Sequence, residues 1–205
     1  MPLPTNADLR RLQPSGIRRF TAMAREVPGC VRLTLGEPEF DTPRPIKDRL
    51  ARSLADGETH YPPNDGIDEL RGALGSSMAG QGLAYDASET IVTVGATEAL
   101  FASLAAVTNP GDEVVIPVPA FGLYETIVRS LHGAVRHLDT TARGFQLARE
   151  DLESVIGPKT RAIVVTSPNN PTGCSYDASS LDAVAAVAAE RDLVVVCDDV
   201  YNRLS

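Results

Sequence analysis

Four short polar runs, each directly after an apolar, strand-like stretch, hold the residues best suited to chemistry. In "VTVGATEAL" (92–100) the apolar run ends at Gly95, and a helix is predicted to begin at or near Ala96 or Thr97. The first N–H groups of a helix have no intrahelical partner, so with the Thr97 hydroxyl they form a donor set for a phosphate. An ordinary Gly-then-Thr cap is the alternative, and Glu98 would either point away from such an anion or oppose it. "PVPAFGLY" (117–124) puts Phe121 after a strand and a proline-constrained bend, where it lies against a flat ring or simply fills core. Tyr124 carries less weight still. "TSPNNPTG" (166–173) offers the Asn170 amide to a ring oxygen, although turn chemistry alone explains each residue type. In "VVVCDDVY" (194–201) an acid follows four apolar residues, either as a buried, partnered carboxylate or as the solvent end of a strand. Asp198 can pair with a protonated ring nitrogen, and Tyr201 can reach the adjacent ring hydroxyl. Weak one by one, these residues together suit a phosphorylated aromatic heterocycle.

Such a set must be held by strands that end side by side, and the chain supplies them. Strand-like segments are predicted at "TIVTVG" (90–95), "DEVVIPV", "AVRHLD", "RAIVVTS" and "LVVVCDD". Helical patterns lie between them, in "ATEALFASLAAVT", "FGLYETIVRSLH", "QLAREDLESVI" and "DASSLDAVAAVAAERD". Near-continuous Val and Ile runs alternating with helices argue for a mostly parallel α/β sheet covered on both faces. Ligands of such sheets sit beyond the carboxyl ends of the strands. Upstream, "QPSGIRRFTAMAREV" reads as a short helix, "CVRLTL" as an extended segment and "GEPEFDTPRP" as loop. Two amphipathic helices follow, one with Ile46, Leu50 and Leu54 on a face and one with Ile67, Leu70 and Leu74.

Composition narrows the partners. Nineteen basic against 27 acidic residues give a net charge of -8, and no basic run is available to replace counterions, so nucleic acid is not expected. No apolar stretch has the length of a membrane span. The three cysteines, Cys30, Cys174 and Cys197, are odd in number and widely spaced, which fits neither a zinc site nor a disulfide framework. A reduced, cytoplasmic setting is expected.

From about residue 14 to the last residue, the runs "PSGIRRF", "LGEPEFDTP", "HYPPNDGIDELRGAL", "VTVGATEAL", "NPGDEVVIPVPAFGLY", "SPNNPTG" and "CDDVY" resemble, in order and spacing, the class I and II aminotransferases of pyridoxal-phosphate (PLP) fold type I. The resemblance implies PLP as cofactor and transfer of an amino group from an amino acid to a 2-oxo acid. It implies phosphate contacts from Ala96 and Thr97, ring stacking by Phe121 (often a tyrosine or tryptophan there), ring-oxygen contacts from Asn170 and Tyr201, and a bond from Asp198 to the pyridine nitrogen. Asp199 stands where many relatives carry glutamate. Tyr61 matches the tyrosine that reaches the cofactor phosphate of the other subunit, which implies a homodimer, and Gly36 the backbone contact to the substrate carboxylate. Residues 1–40 would then be an arm with part of the small domain, and 41–205 the first part of the large PLP-binding domain. A PLP-dependent carbon–sulfur lyase, a cyclopropane-forming synthase and a non-catalytic fragment share nearly all of these residues.

The family also needs a Schiff-base lysine a few tens of residues beyond the strand carrying Asp198 and Tyr201. The chain ends four residues past Tyr201, and its only lysines, Lys47 and Lys159, do not match it. The expectation is an incomplete, truncated member: a piece of a longer enzyme, or a shortened reading frame of one. The 205-residue chain with PLP is accordingly predicted to have no transaminase activity; turnover between an amino acid and a 2-oxo acid, followed by product analysis, is the measurement that tests this.

Overall fold

The computed structural model describes residues 10, 16–34, 36–37 and 39–204. The start of the predicted arm, Leu35 of the extended segment "CVRLTL", Pro38 of the loop "GEPEFDTPRP", and Ser205 lie outside the described residues. Two compact units divide between Thr93 and Val94.

The first unit holds α1 (Gly16–Arg25), α2 (Arg44–Ala55) and α3 (Asp68–Ala79). Pro45, in the first turn of α2, starts that helix without forfeiting a bond, because the N–H it lacks would have had no partner. The apolar stripes predicted for the amphipathic helices are present, but they face outward. Ile46, Leu50 and Leu54 are 59%, 64% and 59% exposed, and α2 buries none of its residues. Arg71 of α3 pairs with Asp65 and ties the helix to the turn before it.

The second unit is the sheet. Its strands β1 (Glu113–Val118), β2 (Ala134–Asp139), β3 (Thr160–Thr166) and β4 (Val194–Asp198) are ordered β2-β1-β3-β4, and every pair is parallel. The helices α4 (Gly95–Val107), α5 (Leu123–Ser130), α6 (Arg149–Val155) and α7 (Ala178–Arg191) cover it. Side chains alternate across a strand, so each strand feeds two cores. On one face Val114, Ile116, Val164 and Val196 pack with Leu100 and Leu104 of α4 and with Tyr124, Ile127 and Val128 of α5. On the other face Val115, Ile163 and Val165 pack with Leu152 of α6 and with Val184 and Val187 of α7. Two buried faces explain why the central strands β1 and β3 read as nearly continuous apolar runs rather than as alternating ones.

The predicted strand at 90–95 is not one. Residues 90–94 join no ladder: the Val92 N–H donates to the Asp65 carbonyl instead, and Ile91 and Val94 are 69% and 89% exposed. An apolar run becomes a strand only where a sheet edge is offered to it, and among the described residues none pairs with this one. "CVRLTL" likewise forms no ladder among its described residues.

Leu104 is fully buried among β1, β3 and α5 side chains. Leu104→Ala is expected to lower the stability of the sheet unit by about 2–5 kcal/mol in urea denaturation. Leu181→Ala, on the solvent side of α7, should change it by less than about 0.5 kcal/mol.

Candidate functional site

Strand order reverses between β1 and β3: the chain passes from β1 to β2 on one side, then returns to lay β3 and β4 on the other. At such a switch point the loops beyond the carboxyl ends splay apart and leave a crevice. Phe121 follows β1, Asn170 follows β3, and Asp198 and Tyr201 follow or end β4, so these four predicted residues share one end of the sheet.

Asp198 is the buried, partnered carboxylate of the two alternatives, with 9% of its surface exposed. The Tyr124 hydroxyl donates to its Oδ2 at 2.7 Å, and the Val200 N–H donates to its Oδ1 at 3.3 Å. Tyr124 also lies 2.8 Å from the Thr166 hydroxyl. Parity along the strands accounts for the cluster. Val164 and Val196 face α4 and α5, so the residues two further on, Thr166 and Asp198, face the same way, and the two are partners in the β3–β4 register. Burial pushes the Tyr124 phenol well above its ordinary range, and the adjacent carboxylate adds to this. Phe121 stands edge-on to Tyr124, with ring centroids 5.9 Å apart and planes at 88°, and stays half-buried rather than vanishing into the core.

Asn170 and Tyr201 line one cavity of about 400 Å³, together with Pro168, Pro171 and Leu204. The loop that carries Asn170 is braced from within. The Asn169 Oδ1 accepts from the Thr172 N–H at 3.2 Å and the Thr172 hydroxyl at 3.0 Å, and the Asn169 N–H donates to the Cys174 carbonyl at 2.8 Å. Gln146 ties down the far end: its Nε2 donates to the Ser175 carbonyl at 3.1 Å, and its Oε1 accepts from the Asp177 N–H at 2.9 Å and the Ser180 hydroxyl at 3.0 Å. With the loop held by other groups, the Asn170 amide makes no hydrogen bond among the described residues and remains available in the cavity.

At the start of α4, Gly95 has φ +75°, a conformation that favours glycine, and leads straight into the helix. Ala96 and Thr97 are exposed in the first turn. Thr97 is therefore not the cap; Val94 holds that position and offers no side-chain acceptor. Glu98 folds back to accept from the Val94 N–H. Gly36 and Tyr61 belong to the other unit; Gly36 is exposed, and the Tyr61 side chain is fully so. Lys159 directly precedes β3, so the seven-residue strand separates it from the Asn170 loop by about 23 Å. Lys47 lies on the exposed α2.

The family model for aminotransferase class I and II matches residues 28–205. The chain belongs to this family. It is 41% identical over 202 residues to the aspartate/prephenate aminotransferase of Thermus thermophilus, a match covering 96% of this chain and 52% of that protein. The aromatic-amino-acid aminotransferase 2 of Thermococcus litoralis is 36% identical, with 95% and 51% covered. Among solved structures, the Thermus thermophilus aspartate aminotransferase with maleate superimposes with a TM-score of 0.93 at 39% identity, covering 98% of this chain and 55% of that one. The N-succinyldiaminopimelate aminotransferase of Mycobacterium tuberculosis gives 0.87 at 33%, with 96% and 52% covered. The chain thus has the aminotransferase fold and spans about half the length of these relatives.

Sequence reasoning gave Tyr124 little weight and passed over Thr166, Asn169 and Gln146. Strand parity could have found Thr166, because it sits two residues beyond a core valine; no local signal marks the long-range contacts of Tyr124 or Gln146.

Tyr176 closes the same loop, with its N–H on the Ser167 hydroxyl at 3.0 Å and its ring against the second core. Burial pushes its phenol from an ordinary value of 10.0 up to about 12. The folded state holds that proton more tightly than the unfolded chain does, so its contribution to stability is complete below about pH 10 and lost as pH rises toward 12. Urea midpoints measured between pH 9 and 11 should fall with pH, and Tyr176→Phe should make the fall shallower.

Proposed function

We propose that a protein containing these residues transfers the amino group of an amino acid to a 2-oxo acid with PLP, and that this sheet unit grips the cofactor. The observation that carries this reading is Asp198: a buried carboxylate with one oxygen held by Tyr124 and the other kept only by a long backbone bond. Such an oxygen suits a protonated pyridine nitrogen, and a charge-assisted bond there is among the stronger ones available. The remaining donors fit the same molecule. The Asn170 amide and Tyr201 hydroxyl share a cavity and suit a ring oxygen anion, while the exposed first turn of α4 at Ala96 and Thr97 suits a phosphate. Phe121 would limit the tilt of the ring. When bound, PLP supplies the electron sink that makes the substrate Cα–H acidic.

Tyr61, fully exposed, would reach the cofactor phosphate of a second subunit in a homodimer, and the Gly36 backbone would meet the substrate carboxylate. Neither Lys47 nor Lys159 suits the covalent role, so the reading requires a lysine from outside these 205 residues. The division into an arm with part of the small domain (1–40) and the start of the large domain (41–205), and a cytoplasmic setting, belong to the same proposal. Among the described residues no helix is long and apolar enough to cross a membrane. Donors of the aspartate and aromatic kind are the first to try, because these name the relatives.

Pyridoxamine 5'-phosphate has no aldehyde to react with stray lysines, so it reports the non-covalent site alone. Calorimetry should detect its binding to the chain, and Asp198→Ala should weaken it at least about tenfold, the loss of one hydrogen bond to a charged group. Equal affinity in the variant would remove Asp198 from the site.

A further inference from the structure

Tyr124 is a fully enclosed tyrosine whose hydroxyl lies in a polar chain, and the direction of that chain follows from donor counting. A phenol has one proton to give. An ionised Asp198 can only accept, so Tyr124 spends its proton on Oδ2 at 2.7 Å, and the phenol oxygen accepts in turn from Thr166 at 2.8 Å. All three groups are buried, with Tyr124 at 2%, Thr166 at 3% and Asp198 at 9% exposure. Water is therefore a poor substitute for any of these bonds. The other oxygen, Oδ1, has only the Val200 N–H at 3.3 Å and keeps a lone pair.

We propose that Tyr124, backed by Thr166, is a positioning residue that pins Oδ2 of Asp198 and so commits Oδ1 to the cofactor's ring nitrogen. The inference rests on the cofactor reading above. Tyr124 itself touches neither ring nor substrate; it acts through Asp198. Without its donor, the carboxylate is freer to rotate about its own side-chain bonds, and the oxygen that should meet the ring N–H loses its fixed direction. A buried carboxylate that loses its best donor is also a poorer home for the negative charge the ring nitrogen must find there. Phe121 stands edge-on against the Tyr124 ring, so Phe keeps this contact at position 124 while removing only the hydroxyl.

The experiment compares two probes on the 205-residue chain: pyridoxamine 5'-phosphate and its 1-deaza analogue, which has carbon in place of the ring nitrogen. Tyr124→Phe is expected to weaken the first by about tenfold and the second by less than about twofold, since one hydrogen bond to a charged group is removed. Thr166→Val, which leaves the Tyr124 proton in place, should show a smaller effect of the same selectivity. Equal weakening of both probes would overturn the inference in favour of a packing role, and unchanged affinity for the pyridine probe would overturn it outright. If Asp198→Ala leaves the ratio of the two affinities unaltered, or the unmodified chain binds neither probe, the cofactor reading falls and takes this inference with it. If Asp198→Ala changes the ratio while Tyr124→Phe does not, only the inference falls. A ligand-free measurement reads the chain itself. In protein labelled at the tyrosine ζ carbon, Asp198→Asn should let the Tyr124 phenol ionise at lower pH, because the carboxylate opposes its ionisation. No change there would show that the two groups are not coupled and would overturn the proposal.

Discussion

Burial on both faces is the constraint from which the rest of the sheet unit follows. A parallel sheet sandwiched between α4 and α5 on one side and α6 and α7 on the other leaves its central strands, β1 and β3, no solvent-facing side for polar side chains. The interiors of the two central strands must be apolar, and Val114, Val115, Ile163 and Val164 obey this with almost no exposed surface, whereas the edge strand β2 keeps Arg136 and His137 exposed. Polar chemistry is pushed to the strand ends. At the carboxyl ends the reversal of strand order between β1 and β3 opens a crevice, and there Phe121, Asn170, Asp198 and Tyr201 collect.

Asp198 pays most for this arrangement. Taking a carboxylate out of water costs several kcal/mol even after relaxation. The Tyr124 hydroxyl and Val200 N–H each return about 1.5–3 kcal/mol at best, as hydrogen bonds to a charged group. The balance favours a site that gains from a further cationic partner over one that is complete by itself. The Asn170 loop shows the opposite economy: Asn169 and Thr172 satisfy each other, Gln146 satisfies the backbone and Ser180 at the far end, and the Asn170 amide is left over. In both places the neighbouring residues consume some of the polar groups and leave a chosen one unspent.

Much of this was legible in the chain. Among the described residues, the four strands and the helices α1–α7 lie where the sequence pattern put them, because continuous Val and Ile runs and four-residue spacings are local signals. The strand expected at 90–95 has the same local signal and fails, since a ladder needs a partner that no local pattern guarantees. The stripe Ile46–Leu50–Leu54 formed a helix face as its spacing required, yet burial did not follow. Periodicity states which side chains share a face, not what meets that face.

The sequence by itself determined the α/β class, the motifs that mark an aminotransferase, and the polar runs that follow strands β1, β3 and β4, because all of these follow from residue type and spacing along the chain. Only the tertiary structure decided that Asp198 is buried rather than at the solvent end of its strand, that Tyr124 and Thr166 are its partners, and that Gln146 braces the Asn170 loop. Those contacts join residues 29 to 74 positions apart. No periodicity reaches so far; strand order and register bring such residues together.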